Sequence, residues 1–344
     1  MNTVAQSRPN PYLGRQSSLR HAGMDRVGIG HALVDNCSFR EACVAIVEHA
    51  KSGGDPAYVT TPNAQHIVLL DGDRRLREIY ERADLVVADG VSLLLAARLY
   101  GRALRERLAG VDMFQTLCGL AAENDLHVFL LGGRPNSADL TAATLRHRLS
   151  GLRISTYCPP MGFEKTATGL EETARAVRAA KPDLLFVAFG APKQEYWIYE
   201  HGVKLAVPIS VGVGGTFEMV AGVVRRAPRW LQKCGCEWLY RLCSEPRRMW
   251  RRYLIGNLQF AAIVVRQYVR RAFLDSFFSL IDKDRFAAEL YEPSLQYQRK
   301  LVANLMNSRS SETSELRHPE ALPMILNTGQ HSEPTKLVNR IPLP

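Results

Sequence analysis

The chain reads as an α/β protein: a doubly wound, mostly parallel sheet with helices on both faces, followed by a basic, mainly helical C-terminal appendage. Two observations predict the sheet. Short apolar runs recur between residues 26 and 213, and the stretches separating them carry helix formers with apolar residues three and four apart. Such alternation of strand and helix favours parallel pairing with both faces covered. The appendage is predicted by charge, because residues 225–271 hold twelve Lys and Arg against Glu237 and Glu245.

The candidate strands are Arg26–Val34, Ala57–Thr61, Asp84–Ala88, His127–Gly132, Arg153–Tyr157, Asp183–Phe189 and Ala206–Val213. Helical spacing falls on Phe39–Lys51, Val91–Tyr100, Ala138–Leu149 and Leu170–Ala180. With 344 residues, 46% of them hydrophobic, the chain can bury a full core over about residues 25–224. Residues 1–24 and 286–344 are polar and read as disordered tails.

Charge and cysteine usage narrow the setting. The net charge of +10 resides in the 225–271 segment, since the rest of the chain balances at 32 basic against 32 acidic residues. That segment also holds Trp230, Trp238 and Trp250, and basic residues mixed with amphipathic aromatics suit an anionic membrane surface. Its longest apolar stretch, Leu258 to Val265, is far short of the ~20 residues that a spanning helix needs. The expectation is an appendage over 225–285 that lies on a membrane without crossing it. Seven cysteines, without framework spacing or a secretory signal, point to a reducing cytoplasm and free thiols. Cys234, Cys236 and Cys243 cluster, but no His stands at a metal-ligand spacing from them.

In open α/β sheets, ligands bind beyond the carboxyl ends of the strands. Five loops fall there: Thr60-Thr61-Pro62-Asn63, Asp89-Gly90, Gly132-Gly133-Arg134, Gly190 through Glu195, and Gly214 through Glu218. Together with further segments they form an ordered series: TPNAQ ending at residue 65, ADGVS at 88–92, ERLAG at 106–110, FLLGG at 129–133, PPMGF at 159–163, APKQE at 191–195, GVGGTFE at 212–218, RRAP at 225–228 and EWLYRLCSEPRR at 237–248. The series resembles the WecG/TagA/CpsF family of glycosyltransferases, glycosyltransferase family 26, from about Asp35 to Phe260. The resemblance implies a Rossmann-like core and an inverting transfer that needs no metal or other cofactor. It also implies a hexose or N-acetylhexosamine moved from a UDP-sugar to an undecaprenyl-diphosphate-linked acceptor, in exopolysaccharide or cell-surface polysaccharide biosynthesis. The expected location is the inner face of the cytoplasmic membrane, with homo-oligomerisation left open.

The residues carry these roles as follows. Asp89 ends an apolar run before Gly90, and the resemblance makes it the general base that takes the acceptor hydroxyl's proton; capping the next helix is its alternative. Thr61, Asn63 and Gln194 are placed at the donor sugar, where hydroxyl and amide groups pair with sugar hydroxyls. Asn63 is also suited to open the helix that follows it, and Lys193 and Glu195 to form a solvated ion pair. Arg107, Arg241, Arg248 and Arg251 match the family's arginines, and their guanidiniums suit a departing diphosphate; contact with phospholipid headgroups is the alternative. Gly132, Gly133, Gly214 and Gly215 permit close approach of backbone to phosphate or ribose. Glu218 is assigned to ribose hydroxyls and Phe163 to uracil, with core packing as the alternative for Phe163.

Three rival readings compete. Asp71-Gly72-Asp73 imitates the Asp-x-Asp signature of metal-dependent nucleotide-sugar transferases, although Arg74-Arg75 and the helical run before it favour a turn between helices. Gly212-x-Gly214-Gly215 imitates a nicotinamide-binding fingerprint, but its third glycine is replaced by Phe217. A nucleic-acid-binding module would use the basic segment and leave the carboxylate and glycine loops without a purpose.

Overall fold

The computed structural model describes residues 19–20, 24–233 and 237–280. An antiparallel hairpin comes first, β1 (Arg26–Ile29) and β2 (Ala32–Asp35). Six strands follow: β3 (Ala57–Thr60), β4 (Leu85–Val86), β5 (His127–Gly132), β6 (Arg153–Tyr157), β7 (Leu184–Ala188) and β8 (Ile209–Gly212). They form one sheet in the order β4-β3-β8-β7-β5-β6, and every pairing in it is parallel. The α/β class expected from the alternating runs is therefore observed.

The first run departs from expectation. Arg26–Val34 is not one strand, because Gly30 adopts φ +57° and turns the chain back on itself. That conformation strains a residue with a Cβ, and a Cβ at Gly30 would also lie 2.7 Å from Ile67 Cγ2. The hairpin instead seals an edge of the main sheet. Buried Asp35 accepts from the Val86 N–H at 2.7 Å and pairs with Arg20 and Arg26, so the short edge strand β4 does not end in unpaired groups.

Local chemistry explains the helices. Ser38 and Glu41 form a capping box at the start of Phe39–Ser52, and Gly53 closes it in the left-handed conformation. Asn63 caps Ala64–Gly72, and Asp73 caps Arg74–Glu81. Asp71-Gly72-Asp73 is thus the junction of two helices.

Apolar residues fill both faces of the sheet. On one face Phe114, Phe186 and Phe217 pack together, the first two edge to face with centroids 4.8 Å apart. The other face buries Tyr58, Ile67, Leu76 and Trp197, and with them Phe260, Ile263 and Val264 from the start of the last described helix, Gly256–Leu280. Tyr100 Oη donates to the Val264 carbonyl at 3.2 Å. Packing is therefore continuous across residue 225, and one compact unit of the described chain runs to Val265, with Arg266 opening a second. No helix among the described residues is long and apolar enough to cross a membrane.

Phe186 is fully buried at the centre of β7. Phe186→Ala should cost about 3–5 kcal/mol, read as a lower urea midpoint at unchanged slope.

Candidate active site

The strand order decides what meets. Because β8 lies beside β3, the loop after β8 faces the loops after β3 and β4. Thr61 Oγ1 bridges that seam, donating to the Gly212 carbonyl at 3.3 Å. Two adjoining cavities open over this edge, of about 540 and 470 Å³, each of a size that holds a small ligand. Thr61, Gln194, Gly214, Gly215, Glu218 and Arg251 line the first. Arg107, Trp238, Tyr253, Phe260 and Leu95 line the second. Asn63, Gln65, Asp89, Val111, Met219 and Arg241 line both, and so form the wall between them.

Asp89 occupies that wall. The expected alternative, a cap on the helix that follows, is not what it does: Val91–Leu99 starts from Gly90 with no side-chain cap. Its carboxylate lies instead at the start of helix Gly110–Glu123 and accepts from the Gly110 N–H. Burial pushes its pKa up to about 6; Arg107, Gly110 and Arg241 oppose the rise, and Glu237 adds to it. A carboxyl in this range holds its proton at mildly acidic pH and accepts one near neutrality, as a general base requires.

The amides are firmly held. Asn63 Oδ1 accepts from the Gln65 N–H at 3.0 Å, so Asn63 serves as helix cap and cavity wall together. Gln194 is buried; its Oε1 accepts from the Gly214 N–H at 3.0 Å, and its Nε2 donates to Glu195. Gly212 makes room for this, since a Cβ there would lie 2.7 Å from Gln194 Nε2. Glu218 Oε1 accepts from the Arg134 N–H at 3.0 Å, while its buried Oε2 has no partner among the described residues.

The basic segment supplies the other side of the cleft. Arg241 projects from helix Glu237–Ser244 into both cavities and donates to Met219 Sδ at 3.7 Å. Arg251 lines the first cavity, with its guanidinium 5.3 Å from the centre of the Trp250 ring. Arg107 donates to the Gln232 carbonyl at 3.2 Å and pairs with Glu237 at 3.6 Å. Arg226 holds Asp112 through both terminal nitrogens.

Several expected residues stand elsewhere. Gly132 and Gly133 line neither cavity; both have positive φ, and a Cβ would strike Phe189 from Gly132 and Ser137 Oγ from Gly133, so backbone and neighbours alike reserve these positions for glycine. Phe163 packs on Phe189 with centroids 4.8 Å apart, which is its core-packing alternative. Lys193 pairs with Glu164, and Glu195 is buried, so the expected Lys193–Glu195 pair is absent. The Arg248 side chain, Cys234 and Cys236 lie outside the described residues. Asp71 and Asp73 line neither cavity, and the described residues contain no group of three or more His, Cys, Asp and Glu arranged around a metal position. Phe217, where a dinucleotide fingerprint needs glycine, is a fully buried core residue. Arg134, Arg225 and His66 line the first cavity and Arg226 the second, all beyond the expected set. Arg134 ends the Gly-Gly-Arg loop and Arg225-Arg226 open RRAP, so the sequence marks these positions without assigning them a role.

The sequence profile of the glycosyl transferase WecG/TagA/CpsF family matches residues 27–273. A Bacillus spizizenii N-acetylglucosaminyldiphosphoundecaprenol N-acetyl-beta-D-mannosaminyltransferase is 31% identical over 198 residues, covering 58% of this chain and 75% of its own length. A Bacillus subtilis protein of the same description is 29% identical over the same shares.

The Asp89 proton is held more tightly in the folded protein than in the unfolded chain, where aspartate titrates near ~3.9. The stability this provides is complete below that value and is lost as pH rises through about 6. Asp89→Asn should therefore melt above the wild type at pH 8 and with it at pH 4. A variant less stable at pH 8 would show that the carboxylate bears no burial penalty.

Proposed function

We propose, since the chain belongs to the WecG/TagA/CpsF family of glycosyltransferases, that it transfers a hexose or N-acetylhexosamine from a UDP-sugar to an undecaprenyl-diphosphate-linked acceptor, with inversion at the anomeric carbon. The observation that carries this reading is the position of Asp89 in a wall common to two cavities. Inversion brings the acceptor hydroxyl to the face of the sugar opposite the leaving diphosphate. A base between donor and acceptor meets that requirement with one carboxylate.

The first cavity suits the donor. Arg134, Arg225, Arg241 and Arg251 line it, and planar cations of this kind stabilise charge developing on a departing diphosphate. Gly214 and Gly215 leave its floor open to phosphate, and the unpartnered Glu218 Oε2 suits a ribose hydroxyl. Thr61, Asn63 and Gln194 stand near Asp89 on the sugar side. The second cavity suits the acceptor: Trp238 and Tyr253, with ring centroids 6.1 Å apart, offer flat apolar faces to a sugar, and Arg107 a cation to its diphosphate. The names of the Bacillus relatives make UDP-N-acetylmannosamine and N-acetylglucosaminyl-diphosphoundecaprenol the first pair to assay.

We further propose that residues from 225 onward hold the enzyme at the inner face of the cytoplasmic membrane. Trp230, Trp250, Leu254 and Leu258 are exposed there, and Arg251 stacks over Trp250. Aromatic and aliphatic side chains enter the headgroup boundary while arginines meet anionic lipid.

Asp89→Asn should retain UDP affinity in calorimetry and lose transfer by roughly 10²–10⁴; undiminished turnover would remove Asp89 as base. Co-sedimentation with phosphatidylglycerol-containing vesicles should weaken as salt is raised. Binding indifferent to ionic strength would instead indicate insertion by apolar contact alone.

A further inference from the structure

Behind the first cavity lies a buried acid, Glu195, to which the transfer itself gives no task. Glu195, on helix Lys193–Leu205, is 3% exposed, and its Oε2 has no hydrogen-bond partner among the described residues. Its Oε1 accepts from Gln194 Nε2 at 2.9 Å and lies 3.7 Å from His66 Nε2. On its far side, His66 Nδ1 is 3.0 Å from Asn63 Oδ1 and 3.3 Å from the Asn63 backbone nitrogen. One carboxylate therefore reaches two of the amide side chains that line the first cavity, Gln194 directly and Asn63 through an imidazole.

Such a group is costly to keep. Burial pushes its pKa up to about 7, and no Lys or Arg pairs with it among the described residues. The groups that face it are His66 from helix Ala64–Gly72, Tyr80 from helix Arg74–Glu81, and Gln194 and Tyr196 from its own chain segment. Burial raises both tyrosines, so they stay neutral across the working range. An apolar residue would fill the same space without that cost.

What a carboxylate adds is direction. Ionised, it only accepts hydrogen bonds, whereas an amide both donates and accepts. Glu195 takes one Nε2 hydrogen of Gln194 while the Gly214 N–H takes Oε1, so the amide has a single orientation. Asn63 is fixed likewise: its Oδ1 accepts from the Gln65 N–H and, when both His66 ring nitrogens carry a proton, from Nδ1–H, with Nε2–H turned to Glu195. Each amide is left with N–H to offer the cavity.

We propose that Glu195 is a positioning residue which, through Gln194 and through His66 and Asn63, turns these two amides so that they donate to oxygen atoms of the bound sugar. The substrate feature recognised is an oxygen acceptor, such as a ring hydroxyl or an acetamido carbonyl. This rests on the reading of the first cavity as the donor site.

Glu195→Gln keeps the volume, removes the charge, and leaves the Gly214 N–H as the one backbone group that still orients Gln194. Its melting temperature at pH 8 should equal or exceed that of the wild type, since the raised acid contributes stability only at lower pH. Meanwhile KM for the UDP-sugar used by the wild type should rise about tenfold, with kcat changed less than about threefold. Within the relay His66 lies on the Asn63 arm alone, so adding His66→Ala to Glu195→Gln should cost less than about twofold more in KM. Unchanged KM, or a loss of activity that tracks a lower melting temperature, would overturn the proposal. So would a His66→Ala effect that multiplies in full on Glu195→Gln. A second measurement needs no substrate. In the full chain carrying Asp89→Asn, which removes the neighbouring titration, ¹⁵N shifts of the His66 ring and the Gln194 side-chain amide should titrate with one midpoint. That common midpoint should vanish in Glu195→Gln, and separate midpoints would refute the relay. If the wild type transfers from no UDP-sugar, the functional reading fails while the shifts still decide the relay.

Discussion

Everything at the cleft depends on β8 sitting next to β3. A parallel sheet forces every strand to end at the same edge, and the strand order determines which loops are neighbours there. The Thr61 hydroxyl and the Gly212 carbonyl, 151 residues apart in the chain, meet across this seam. With that contact made, Gly214 faces Gln194, and the loop carrying Thr61 and Asn63 stands beside Asp89. The site is thus a product of topology before it is a product of any one side chain.

Three of the arginines around the cleft are paired across it. Arg107 and Arg226 both reach Glu237, at 3.6 and 3.9 Å, and Arg226 also grips Asp112. Arg134 faces Glu245 at 3.9 Å. The only two acids of the 225–271 segment, Glu237 and Glu245, are therefore both spent on arginines that line the cavities. These pairs draw the basic segment onto the sheet edge, and buried Phe260, Ile263 and Val264 hold it there.

Much of this was legible in the sequence. The six-stranded sheet follows from apolar runs separated by helical spacing, and Thr61, Asn63, Asp89, Gln194, Gly214, Gly215 and Glu218 fall where loops after strands must gather. The illegible parts have identifiable causes. Arg26–Val34 reads as one apolar run because periodicity is blind to a turn that needs only Gly30. Gly132 and Gly133 look like phosphate-binding glycines, yet they line neither cavity, and Phe189 and Ser137 occupy the places where a Cβ would stand. Glu195 looks like a surface acid beside Lys193, because local sequence does not reveal which way a helix turns its third residue when Tyr80 and His66 come from elsewhere in the chain.

The partition between the two cavities has a thermodynamic corollary. Neither chamber owns its inner surface: Val111, Met219 and Arg241 are shared, and a methionine thioether is among the most deformable packing groups a protein has. A guest in one chamber that moves any of these side chains changes the shape and charge that its neighbour presents. Linkage then requires reciprocity, so that if the first guest tightens the grip on the second, the second tightens the grip on the first to the same degree.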